Sequence, residues 1–227
     1  MKRLMMFIWC LSASTVFAMT TSITEIECPV DGEKFEFHGQ DSGTAFGAML
    51  DGQGYGAIVT PWPIPKCPGN GMVIYKEFSE KEIATLKPFI KSKEYQELQK
   101  RETNYWLAYI LSKHLAAPIT EQIDLMQQAT WEAEDDQYER YAKETIKTIN
   151  SMKNPSYDLV FLKGELYRRI KEFDKAALIF SKLEKEIKND LKVKNKPFFI
   201  QNILKEIELI SKKNSFSHPL DSTKNDE

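Results

Sequence analysis

Cys28-Pro29-Val30-Asp31-Gly32 and Cys67-Pro68-Gly69-Asn70-Gly71 are two copies of one short turn, Cys-Pro-x-x-Gly, and the segment between them is rich in glycine and proline. Each copy is one thiol short of the Cys-Pro-x-Cys-Gly knuckle that presents two thiolates to zinc in ribbon-type sites. Asp31 can stand in for one missing ligand, but Asn70 offers a neutral amide oxygen to an ion that favours sulfur and imidazole. We therefore expect no bound metal and no other cofactor, with Cys28, Asp31 and Cys67 as the remnant of a ligand set. Two knuckles that converge keep Cys28 and Cys67 close together, and facing thiols in an oxidising compartment form a disulfide. The alternative is a pair of free buried thiols. A bridge closing a loop of this length stabilises by roughly 4 kcal/mol in the chain-entropy picture.

Working outward from the knuckles, glycine divides the chain sharply. Nine of the ten glycines lie between Gly32 and Gly71, and five of the ten prolines lie between Pro29 and Pro68. The front part is thus read as turns and short strands, and the remainder of the chain as helix. Strands are expected at Ile23 to Glu27, at Glu33 to His38 with Phe35 and Phe37 on one face, and at Met72 to Tyr75. The glycines between the knuckles lack the strand-to-helix context and the Gly-Lys-Ser/Thr ending of a phosphate-cradling loop, so no nucleotide site is expected. Trp62, between Pro61 and Pro63, reads as a plug over the small sheet; an exposed Trp62 marks a binding edge instead.

Toward the N-terminus, Lys2 and Arg3 precede an apolar run from Leu4 to Leu11, and small residues lead to Val16-Phe17-Ala18. That is the charge, apolar run and cleavage pattern of a signal peptide spanning residues 1–18. The run is well short of the ~20 residues that a membrane span needs. Trp9 before Cys10 is too bulky for a lipoprotein cleavage site, so no lipid anchor is expected. The mature chain then keeps two cysteines, an even number. Losing Lys2 and Arg3 moves the formal charge from −2 to −4, and no global basic field draws the protein to nucleic acid.

The rest reads as a helical body over residues 79–211, followed by a loose polar tail over 212–227. Ser79-Glu80-Lys81-Glu82 is a capping box that opens a helix toward Lys91. A short helix covers Lys93 to Lys100, and Leu107, Ile110, Leu111, His114 and Leu115 form an apolar stripe that places His114 in the core. Further helices are expected from Thr120, from Glu132 to Met152, and from Pro197 to Ser211. In the last of these Ile200, Ile203, Leu204, Ile207 and Ile210 form the buried side. Glu132, Glu134, Asp135 and Asp136 cluster without the glycine turn and alternating oxygens of a calcium loop, and read as a solvated face or an interaction patch. Between Ser156 and Ile187, Gly164, Tyr167, Ala176 and Phe180 have the small and large spacing of a tetratricopeptide helix hairpin. A single repeat cannot bury its own faces, so neighbouring helices must cover it. The expected class is α+β and mostly α, a small knuckle module over residues 19–78 ahead of an antiparallel helical body.

In its order of parts the chain resembles a bacterial family described as domain of unknown function 2225. There, a Cys-Pro-x-Cys-Gly knuckle followed by Phe, and then a second knuckle, lead into tetratricopeptide-like helices. Cys28 to Phe35, Cys67 to Gly71 with Phe78 beyond, and Gly164-Glu165-Leu166-Tyr167-Arg168-Arg169 occupy the matching places. Asp31, Asn70 and the signal peptide depart from that pattern. The resemblance implies the architecture and carries no activity.

Function is expected to be interaction: a periplasmic or secreted envelope protein, anchored to no membrane after cleavage, that engages another protein. A zinc-ribbon-derived metal module and a thiol-dependent or hydrolytic enzyme are the alternatives. Against an enzyme, His38, His114 and His218 fall in a turn-rich segment, a core stripe and a tail, with no nucleophile-elbow pattern. Cys28 with His38 is the remaining thiol pair, and an oxidising compartment disarms it.

Overall fold

In the computed structural model, residues 19–221 are described. The leader expected over residues 1–18 and the last six residues lie outside the described range. The architecture is α+β, with two small antiparallel sheets ahead of eight helices among the described residues.

Strands β1 (Thr20–Glu27) and β2 (Lys34–Ser42) pair in register from Glu27 opposite Lys34 to Thr21 opposite Gln40. The first knuckle is itself the turn of this ribbon. Cys28 N–H donates to the Glu33 carbonyl at 2.8 Å and Gly32 N–H to the Cys28 carbonyl at 2.9 Å. The second knuckle repeats the pattern, with Cys67 N–H to Met72 at 2.8 Å and Gly71 N–H to Cys67 at 2.9 Å. Gly32 and Gly71 take the left-handed conformation at φ +77° and +75°, which is why both turns end in glycine.

The strand expected at Met72 to Tyr75 shrinks to a single bridge, Lys66 opposite Val73, beside one further bond from Ile74 N–H to the Pro65 carbonyl. Pro61, Pro63 and Pro65 run along the facing side, and each lacks the N–H that a longer ladder requires. Conversely, the segment between the knuckles forms a second hairpin, β3 (Thr44–Ala48) and β4 (Gly54–Ala57). Its glycines permit close pairing: a Cβ on Gly56 would lie 2.4 Å from the Thr44 carbonyl oxygen. The turn after β3 carries Leu50 and Asp51 into the molecule, where both are buried.

The helices are α1 (Glu80–Ile90), α2 (Lys93–Leu98), α3 (Asn104–His114), α4 (Ile119–Glu132), α5 (Asp135–Ser151), α6 (Tyr157–Arg169), α7 (Phe173–Asn189) and α8 (Lys196–Ser211). The capping box opening α1 is present: the Ser79 hydroxyl accepts from Glu82 N–H, and Glu82 accepts from Ser79 N–H at 2.8 Å. From α3 onward each helix packs on the next. One core joins Cys28, Val30, Cys67, Met72 and Val73 to α1 through α6, so the knuckles are packed into the helical body. A second core under α6, α7 and α8 takes in Leu50. No helix among the described residues is long and apolar enough to cross a membrane.

Three expectations are corrected, two about side chains and one about the C-terminal stretch. His114 is exposed, stacked on Phe89 with ring centroids 4.2 Å apart, because α3 buries Tyr105, Trp106 and Ala108 along with Leu107 and Leu111. On α8 Ile203 is buried and Ile200, Ile207 and Ile210 pack against the second core, but Asn202, Glu206 and Leu209 are buried beside them and Leu204 points outward. The stretch read as a loose tail is instead ordered as far as Asp221. It lies along the β3–β4 turn through Leu50 N–H to His218 and Leu220 N–H to Ala48, both 2.8 Å.

Candidate functional site

Cys28 and Cys67 are bridged, with Cα atoms 5.7 Å apart. Both are buried, and while bridged neither sulfur is a thiolate available as ligand or nucleophile. The two remaining knuckle positions meet as well. The Asn70 side-chain amide donates to Asp31 Oδ2 at 2.8 Å and to Cys28 Sγ at 3.1 Å, and its oxygen accepts from Met72 N–H at 2.8 Å. The Asn70 hydrogen bond, followed by that from Glu33 N–H, holds the Asp31 carboxyl below its ordinary value. All four positions of a zinc knuckle pair thus converge, and a disulfide and an amide–carboxylate bond hold them. Among the described residues no group of three His, Cys, Asp or Glu is placed to hold a metal ion.

Above this pinned base the β1–β2 ribbon stands open. Among the described residues it pairs with no third strand, so each strand keeps one unpaired edge. Ile23 on β1 is 61% exposed, and after β4 Val59 and Trp62 are 45% and 43% exposed. Trp62 is therefore no plug; its carbonyl is engaged, accepting from the Tyr105 hydroxyl at 2.8 Å, while the ring stays at the surface. Pro61 and Pro63 on either side restrict the backbone there.

The acidic patch comes apart. Glu132 turns inward and accepts from Tyr105 N–H at 2.9 Å, satisfying an orphan amide in the first turn of α3. Glu134 caps α5 in a reciprocal box with Gln137, and Asp135 and Asp136 sit in the first turn, where carboxylates favour the helix dipole. Three exposed acids with a local helical role remain.

In the α6–α7 hairpin, Gly164 lies under the Phe180 ring, and Ala176 and Phe180 are fully buried. Tyr167 is half-buried between the two cores. Sequence reading missed the charged cluster beside them. Arg168, fully buried, donates to Glu165 Oε2 at 2.5 Å and to Glu206 Oε2 at 2.6 Å. It also donates to the carbonyls of Asn214 and Phe216 at 2.7 and 2.9 Å. Arg169 donates to Asp51 Oδ2 at 3.3 Å, joining the β3–β4 turn to the same cluster. Burial first, and then the neighbouring Glu206, raise the Glu165 carboxyl well above its ordinary value. Burial likewise raises Glu206 and Asp51. The signal was present: Glu165, Arg168 and Arg169 have helical i, i+3, i+4 spacing, and Glu206 follows Ile203 by three.

His38 lies on the exposed ribbon opposite Ile23, His114 on α3, and His218 in the C-terminal segment. The histidines thus fall on three different parts of the fold, with no shared constellation. No family model, curated protein or solved structure matches the chain.

Proposed function

We propose that the protein is an exported interaction module of the bacterial envelope, holding another protein through the β1–β2 ribbon and the apolar side chains beside it. The observation that carries this reading is the ribbon itself, two strands with open edges projecting from a base fixed by a disulfide and a shared core. An isolated two-stranded ribbon is marginal in water, and unpaired strand edges invite pairing with another chain unless they are blunted. The bridge supports export, because disulfides persist in oxidising compartments. The converged knuckles support kinship with the domain of unknown function 2225, in a variant whose metal has given way to a disulfide.

A photo-crosslinking residue at Ile23 or Trp62 in the native cell tests the proposal, with Leu191 on the far part of the helical body as control. The expected result is one discrete adduct from Ile23 and from Trp62 and none from Leu191. Recovery of the uncoupled chain from all three positions would overturn it.

A further inference from the structure

A cavity of about 180 Å³ lies at the edge of the second core, where the β3–β4 turn, α4, α6, α8 and the C-terminal segment meet. Its walls are mainly apolar. Leu50, Phe161 and Leu162 are buried in them, and Phe198, Phe199 and Leu220 are half-buried. The side-chain donors of the lining are already engaged. Gln127 Nε2 donates to the Asp51 carbonyl at 2.6 Å, and Asn202 Nδ2 donates to the carbonyls of Phe198 and Asp221 at 2.9 and 3.4 Å. The Asn202 side-chain oxygen accepts from Asp221 N–H at 2.9 Å. Water among these walls finds few of the polar partners that hold it, whereas an apolar cavity of about 150 Å³ is large enough to take up benzene. Size and lining together select a single six-membered ring or an alkyl group of similar bulk.

Charge narrows the class further. The lining holds two carboxylates and no basic side chain. Asp51 is buried and already matched, since Oδ1 accepts from Gln53 N–H at 3.0 Å and Oδ2 from Arg169 at 3.3 Å. Asp158, in the first turn of α6, is exposed and makes no hydrogen bond or ion pair among the described residues. An anionic ligand meets only repulsion here. A ring that carries a cation meets both halves of the site, because its apolar part leaves water while its charge stays at the exposed side. We propose that this cavity binds a small amine, its apolar ring among Leu50, Phe161 and Leu162 and its ammonium paired with Asp158. The site is separate from the ribbon, since none of its lining belongs to β1 or β2.

The test titrates the full chain with benzylamine, its neutral isostere benzyl alcohol, or benzoate, and follows contacts from the ring protons to the Leu50 and Leu162 methyls by NMR. Saturable binding of benzylamine with contacts to both leucines is expected, and none of benzoate. Benzyl alcohol should bind about fivefold more weakly, the worth of one partly screened charge pair. Asp158→Asn, at an exposed position, should bring benzylamine down to the affinity of the alcohol. Absence of ring contacts to these methyls, whether or not benzylamine binds elsewhere, would overturn the proposal. So would equal affinity for amine and alcohol, or an unchanged affinity for benzylamine in Asp158→Asn.

Discussion

At the scale of single residues, the α6–α7 hairpin turns on Gly164 and the buried cluster on Glu165, one position along. A Cβ at Gly164 would stand 2.6 Å from the Phe180 ring, which is fully buried and cannot swing aside. Gly→Ala inside a helix gains about 1 kcal/mol of propensity, while overpacking a rigid site costs about 1–3 kcal/mol. The ring contact wins, and Gly164→Ala is expected to lower stability by about 1–2 kcal/mol in urea unfolding, with partial rescue by Phe180→Leu. Glu165 poses a question of charge. Its Oε1 and that of Glu206 make no hydrogen bond among the described residues, the Arg169 guanidinium standing 3.9 Å from Glu165 Oε1, and a proton kept on Glu165 satisfies both. Raised above its ordinary 4.5, this carboxyl contributes stability that is fully present below that value and is lost as pH rises through the folded-state value. Glu165→Gln imitates the protonated form, so the alkaline loss of stability should flatten in the variant. Identical pH profiles for variant and wild type would refute the shared proton.

At the scale of elements, the knuckles share one turn geometry and place residues 28, 31, 67 and 70 around a common point. Thiolates at all four positions would meet the tetrahedral preference of zinc. The double variant Asp31→Cys with Asn70→Cys, purified under reduction, is expected to bind one zinc ion per chain and to show cobalt–thiolate absorption; either single variant should bind far more weakly. Absence of metal from the double variant would mean that the four positions do not converge as a ligand set. The knuckles were legible because Cys, Pro and Gly act locally: a cysteine pair implies its bridge, and glycine marks the left-handed turn. Helix positions were legible for a similar reason, through caps such as Ser79 with Glu82. The β3–β4 hairpin was hidden because Gly47, Gly54 and Gly56 carry poor strand propensity, and they pair only because their bareness allows close approach. On α8 the apolar part of the inward face, Ile200, Ile203, Ile207 and Ile210, was legible, but Glu206 and Asn202 on it were hidden, because polar residues are read as outward unless their partners are known. Those partners, Arg168 and the backbone near Asp221, lie on other segments.

At the scale of the whole molecule, the C-terminal segment clasps the front module to the last helices. Asn214 and Phe216 supply carbonyls to Arg168, His218 receives Leu50 N–H, and Leu220 donates to Ala48. Burial, followed by the charges of Arg168, Lys205 and Arg169, lowers the His218 imidazole below its ordinary value, so the clasp disfavours its charged form. The Arg168 contacts matter most, because a buried guanidinium deprived of acceptors cannot recover them from water. Ending the chain after Lys213 removes both carbonyls and is expected to cost about 3–5 kcal/mol, the range for breaking a buried charged network. The loss should also be local. Leu50 N–H is bonded to the clasp, whereas Cys28 N–H is bonded to Glu33 inside its own knuckle. Native-state hydrogen exchange should therefore speed up strongly at Leu50 and stay slow at Cys28 under conditions where the shortened chain remains folded. Equal acceleration at both amides would mean that the clasp supports global stability alone. An unchanged rate at Leu50 would show that it does not tie the front module to the helical body.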